Sequence, residues 1–188
     1  MTDFRAQPTE LDGVLLLDPL CFPDDRGWFA EVWQRDRYAD IGIPELFQIN
    51  QNHSRRGVLR GLHYQEPHPQ GKMVWFPRGE VWDVVADVRV GSPTFGKWQA
   101  FELSETNRRQ LWIPEGYAHG FCVLSDYADC LYACTSPYAP GCDRSVAYDD
   151  PTLGIDWPIE APVISDKDRQ APKLADAVHL PRYRDARG

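Results

Sequence analysis

Hydrophobic and polar residues alternate with period two through most of this chain, and the alternating runs are short. Val81 to Val90 puts Trp82, Val84, Ala86, Val88 and Val90 on one face and Val81, Asp83, Val85, Asp87 and Arg89 on the other. That split predicts a strand packed on one side and lining something polar on the other. Val58 to Gln65 predicts a second strand, with Leu59, Gly61, His63 and Gln65 on one face. In a third, Lys72 to Phe76, the residues Lys72, Val74 and Phe76 align. Trp98 to Leu103 and His119 to Leu124 complete the set, the latter aligning His119, Phe121 and Val123. Ser92-Pro93-Thr94-Phe95-Gly96 has turn chemistry.

Helical periodicity is weak by comparison. Glu31 to Ile41 predicts one short helix before Gly42, and Ser165-Asp166-Lys167-Asp168 predicts a capped turn running toward Gln170 and limited by Pro172. The charged end, Arg182 to Gly188, is expected to fray. Many short strands punctuated by 16 Pro and 14 Gly imply an antiparallel all-β fold. The expected architecture is a jelly-roll (cupin-like) antiparallel β-barrel with a few short helices. Its lumen would hold a ligand against inward polar residues. No linker or repeat interrupts the pattern, so residues 1–188 read as one domain.

Composition narrows the function classes. With 43% hydrophobic residues, including seven Trp and eight Phe, the chain can fill a core and is not a disordered segment. A net charge of −8 without a Lys/Arg cluster argues against nucleic acid as a partner. An anionic small ligand would therefore need specific Arg and Lys residues to reverse the local field. Five cysteines (Cys21, Cys122, Cys130, Cys134 and Cys142) form no Cys-x-x-Cys pair, which points to a reducing cytoplasm rather than a disulfide scaffold. The polar stretch Met1 to Glu10 has no signal-peptide pattern, and no apolar run reaches membrane-spanning length. A soluble protein with no membrane partner is expected.

Candidate chemistry lies on the strands. His63, Lys72, Asp83 and His119 are polar groups at inward positions of apolar runs. Each alone could be a satisfied structural residue, but an inward Lys is costly unless it meets an anion or takes part in a reaction. His63, His119 and Asp83 could instead ligate a metal, although no His-x-His pair occurs and a nearby lysine would repel the cation. No cysteine has a histidine beside it in sequence, and packing is the default reading for all five. Tyr132 and Tyr138 read as packing residues from spacing alone. No glycine-rich phosphate loop or dinucleotide fingerprint occurs, so no nucleotide cofactor is expected.

Several segments carry a family resemblance. FPDDRGWFAEVW (22–33), NQNHSRRGVLRGLHYQ (50–65), QGKMVWFPRGEVWDVVADVR (70–89), SPTFGKW (92–98), RRQLWIPEGYAHGF (108–121), GIDWP (154–158) and SDKD (165–168) resemble, in order, the dTDP-4-dehydrorhamnose 3,5-epimerase family of cupin-type nucleotide-sugar epimerases. The resemblance implies a homodimer that uses no metal and no cofactor and acts on a dTDP-4-keto-6-deoxy sugar. It implies that His63 is the catalytic base, Asp168 its carboxylate partner, Tyr132 the catalytic acid, and Lys72 a lysine near the sugar ketone. Arg26, Glu31, Gln51, Asn52, Arg60, His119 and Lys167 match substrate-contact positions, and Tyr138 matches the residue stacking on thymine. Asp143 stands where relatives often carry glutamate, shortening that contact by one methylene. Asn50 stands where glutamine is frequent, leaving its part in binding open. The same residues would serve a 3-only or 5-only epimerase, or a non-catalytic sugar-nucleotide-binding cupin.

Overall fold

A computed structural model describes residues 3–184. Its strands are β1 (Arg5–Pro8), β2 (Leu15–Asp18), β3 (Leu20–Asp24), β4 (Gly27–Glu31), β5 (Gln48–Arg55), β6 (Leu59–Gln65), β7 (Lys72–Arg78), β8 (Glu80–Asp87), β9 (Trp98–Ser104), β10 (Gln110–Ile113), β11 (Tyr117–Val123), β12 (Tyr127–Cys134) and β13 (Asp143–Ser145). Two short α-helices, α1 (Arg35–Ala39) and α2 (Asp166–Arg169), and two 3-10 turns, Pro140–Cys142 and Leu174–Asp176, complete the regular elements among the described residues. α1 is shorter than the predicted Glu31–Ile41 because Gly27–Glu31 is extended and Gln34 caps the helix, its side chain accepting from the Arg37 N–H.

The pairing of β5 through β12 explains the topology. β5 pairs with β12, β6 with β11, β7 with β10 and β8 with β9, all antiparallel. Such nested pairs describe one long hairpin rolled so that successive pairs fall alternately in two sheets, which is a jelly roll. One sheet has the order β1-β2-β10-β7-β12-β5 and the other β13-β6-β11-β8-β9. The jelly-roll architecture expected from the sequence is present. The sheets are hydrogen-bonded separately among the described residues and pack face to face, while β3 and β4 form a separate hairpin.

Apolar side chains fill the space between the sheets only in part. Val74 and Phe76 of β7, Val81 and Val85 of β8, Phe121 and Val123 of β11, and Ala128 and Cys130 of β12 join one buried cluster. The outer face of the five-stranded sheet is also buried. Val84, Ala86 and Val88 lie under Val146, Leu153 and Leu174 of the C-terminal segment. Residues around α1 cover the other sheet, with Tyr38 and Ile43 packed on Leu17, Met73 and Trp112. The C-terminal end is more ordered than expected up to Tyr183: the Val90 N–H donates to the Pro181 carbonyl at 2.8 Å and the Tyr183 N–H to the Val90 carbonyl at 3.0 Å. The rest of the predicted fray, residues 185–188, lies outside the described residues, as do residues 1 and 2 of the predicted polar N-terminus.

Candidate active site

Where the apolar cluster stops, the space between the sheets becomes polar. Two adjoining cavities of about 270 and 260 Å³ share His63, Lys72 and Tyr132 in their walls. The outer one adds Tyr138, Asp143 and Lys167, and the inner one adds Asn52, Arg60 and His119.

A break in β6 aims His63 at this space. His119 lies opposite His63 and Phe121 opposite Arg60, so Gly61 and Leu62 together face the single residue Gly120. This is a β-bulge, and it re-phases the alternation. Leu62 and Tyr64 turn to the outer cluster, while Arg60 and His63, three residues apart, line the same cavity. The expected face of Leu59, Gly61, His63 and Gln65 is therefore split at Gly61. Only glycine fits there: φ is +121°, and a Cβ would lie 2.6 Å from Gly120 Cα and 2.7 Å from the His119 carbonyl oxygen.

His63 Nε2 lies 2.5 Å from Asp168 Oδ1. Ser165 caps α2 by accepting the Asp168 N–H at 3.1 Å, which holds this carboxylate against β6. Burial pushes the Asp168 carboxyl up, but the His63 hydrogen bond and charge, together with bonds from Ser165 and the Gly61 backbone, outweigh it and hold the group below the ordinary aspartate range. A carboxyl depressed in the folded state stabilises the fold above its unfolded value, near 3.8, and that contribution is lost as pH falls through the folded value. Asp168→Asn should therefore flatten the loss of stability below about pH 4, read by denaturant melts across pH. An unchanged acid limb would refute the pairing.

Tyr132 and Lys72 come from the facing sheet. On β12 the inward positions are Cys130, Tyr132 and Cys134; Tyr132 sits between Asn50 of β5 and Val74 of β7. Burial pushes the Tyr132 phenol above its ordinary value, so it stays protonated at neutral pH. Lys72 opens β7 opposite Cys134 and Ile113. Burial lowers its ammonium, partly offset by the nearby Cys134, Asp143 and Cys130. Among the described residues neither Lys72 nor Arg60 makes an ion pair, whereas Asp143 binds Lys167 at 2.5 Å and Asp83 binds His119 Nε2 through both oxygens at 2.9 Å. Two uncommitted cations thus face the cavity of an acidic protein. His63 and His119 each engage their own carboxylate, and the described residues contain no group of three His, Cys, Asp or Glu suited to a metal.

The remaining expected site residues divide. Asn52, His119, Tyr138, Asp143 and Lys167 line the paired cavities. Tyr138 is positioned by its N–H donating to Gln48 Oε1, and its hydroxyl donates to Asp143 at 3.0 Å. Period two along β5 turns Gln51 to the exposed face, while Gln48, Asn50 and Asn52 turn inward. Asn50, whose role was left open, lines the outer cavity. Arg26 and Glu31 also lie away from this subunit's cavity. They sit on the β3–β4 hairpin, Arg26 bound to Asp24 and Glu31 to Arg37. Gln48, Tyr64, Gln65, Gln70, Gly120, Phe121 and Cys130 were missed as lining residues. For Gln65 the signal was present, since it lies two residues beyond His63 on one strand.

The family model described as dTDP-4-dehydrorhamnose 3,5-epimerase matches residues 8–176. The chain belongs to the dTDP-4-dehydrorhamnose 3,5-epimerase family. It is 49% identical over 181 residues to the dTDP-4-dehydrorhamnose 3,5-epimerase of Pseudomonas aeruginosa, covering 94% of this chain and 99% of that one. It is 42% identical over 185 residues to the dTDP-4-dehydrorhamnose 3-epimerase of Streptomyces niveus, covering 95% and 89%. The crystal structure of dTDP-6-deoxy-D-glucose-3,5-epimerase from Legionella pneumophila in complex with dTDP-4-keto-L-rhamnose superimposes with a TM-score of 0.95 at 45% identity, covering 97% of this chain and 100% of that one. Family membership leaves the work of each side chain to be argued from its own contacts.

Proposed function

We propose that this member of the family is an isomerase that epimerises a dTDP-4-keto-6-deoxy sugar at C3 and C5 without a metal or cofactor. The observation that carries the reading is a carboxylate-braced imidazole and a protonated phenol, on opposite sheets, in the wall of one cavity that also holds an unpaired lysine.

Hydrogens on C3 and C5 are acidified by the neighbouring C4 ketone, and removing either gives an enolate with its charge on O4. His63 takes the proton as the general base. Asp168 holds the ring and stabilises the imidazolium that forms. Lys72 offsets the charge growing on O4, a contribution of roughly 3–4 kcal/mol for one well-placed donor. Tyr132 returns a proton from the other face, which inverts the carbon. Arg60, with Nε tied to Ser54 Oγ at 3.0 Å, offers its guanidinium to the diphosphate. Tyr138, with Asp143 and Lys167 beside it, offers a ring for thymine to stack on at the outer cavity.

A homodimer and a cytoplasmic setting belong to the same reading. Phe47 and Ile49 beside and on the edge strand β5 are 67% and 64% exposed, and Trp28 and Phe29 of the hairpin 54% and 68%. An apolar surface of this kind suits a second copy. The hairpin that carries it would then bring Arg26 and Glu31 to the partner copy's ligand. No disulfide joins the described cysteines, which suits a reducing compartment. No described helix is long and apolar enough to cross a membrane.

The test is incubation with dTDP-4-keto-6-deoxyglucose followed by NMR of the sugar. Inversion at both carbons supports the reading. Inversion at C3 alone would favour the narrower activity named for the Streptomyces niveus relative, and an unchanged sugar would refute both. Treatment with EDTA should leave the rate within experimental error; a loss restored by added metal would contradict the metal-free mechanism.

A further inference from the structure

The inner cavity is polar nearly all round, with Asn52, Arg60, His63, Lys72, His119 and Tyr132 in its wall. Beside Gly120, the apolar part of the wall is Phe121 and Cys130. Both residues belong to the buried apolar cluster between the sheets, so here the core itself reaches the cavity. Phe121 is 4% and Cys130 1% exposed. Phe121 is fixed edge-on against Phe76, ring centres 5.2 Å apart at 75°. Cys130 is hydrogen-bonded by the Asn52 side chain and otherwise behaves as a small hydrophobe. A ligand group seated on this wall leaves water, and the amide beside it, Asn52, is already engaged by Cys130 and by Ser54.

We propose that Phe121 and Cys130 are specificity-determining residues that read the apolar methyl group on C5 of the 6-deoxy sugar and disfavour a sugar that keeps its C6 hydroxyl. The inference rests on the epimerase reading above. Every other substituent of the ring is oxygen or hydrogen, and the polar wall provides partners for the oxygens. The methyl is the single ring substituent that gains from a dry surface, whereas a hydroxymethyl placed there leaves its hydroxyl unbonded. An apolar wall rejects an added hydroxyl by roughly 10²-fold.

The experiment compares kcat/KM for dTDP-4-keto-6-deoxyglucose and for its 6-hydroxylated analogue, with deuterium uptake at C3 in D₂O as the common readout. The wild-type protein should favour the 6-deoxy sugar by about 10–100-fold. Cys130→Ser, which puts a hydroxyl into the wall, should narrow that ratio by about tenfold, and Cys130→Ala, which keeps the wall apolar, should hold it within about threefold. A wild-type ratio near one overturns the proposal, whether or not the serine variant folds. So does an unchanged ratio in a Cys130→Ser protein that still exchanges C3. Failure of the epimerase reading looks different: wild-type protein would then exchange hydrogen at neither C3 nor C5 of either sugar.

Discussion

Replacing His63 with alanine is expected to stop hydrogen exchange at C3 and C5 while leaving a folded protein. A positioned general base is worth about 10²–10⁴-fold. The fold should survive the change. His63 stands at the cavity wall with 30% of its side chain exposed and belongs to none of the apolar clusters. Its loss leaves the Asp168 carboxylate buried, but that group keeps its bonds from Ser165 and the Gly61 backbone. Deuterium uptake by NMR, with a thermal melt as control, decides the matter. Exchange at more than about a tenth of the wild-type rate would refute the base assignment.

Gly61→Ala should be severely damaging although it adds a single methyl. The new Cβ would press on Gly120 Cα at 2.6 Å and on the His119 carbonyl at 2.7 Å, and neither backbone atom can swing aside as a side chain could. The φ of +121° adds conformational strain that an L side chain bears poorly. Strain and overpacking together come to about 2–6 kcal/mol, a large share of a domain's stability. Denaturant unfolding should show that loss, with activity falling further because His63 and Arg60 share their cavity only through the bulge at this glycine. Gly141→Ala is the control, since nothing lies within 4 Å of a Cβ there. Equal stability of the two variants would contradict the close approach of β6 and β11.

The strands that carry the site were legible because their two faces differ in chemistry. Lys72, Val74 and Phe76 align as the pattern predicts, and so do His119, Phe121 and Val123. The helix at Ser165 was legible from its cap. The bulge was not: period-two reasoning runs through Gly61 without a break, and only the register between β6 and β11 reveals that two residues oppose one. Gln51 was suggested by the motif alone; strict alternation along β5 gives the inward places to Gln48, Asn50 and Asn52. Sheet closure was also beyond reach, because strand pattern specifies faces and leaves open whether the end strands of the two sheets meet. Arg26 and Glu31 stand apart from this cavity on the β3–β4 hairpin, where they pair with Asp24 and Arg37.

The mechanism depends on two groups on opposite faces of one sugar ring, and Tyr132→Phe separates them. The phenylalanine keeps the ring that packs against the core and removes only the hydroxyl that carries the acidic hydrogen. In D₂O, the two-face mechanism requires that this variant still exchange hydrogen through His63 while inversion falls by about 10²-fold or more, so that deuterium appears with configuration retained. Inversion at the wild-type rate in the Tyr132→Phe protein would contradict it, because the returning proton would then have come from another group.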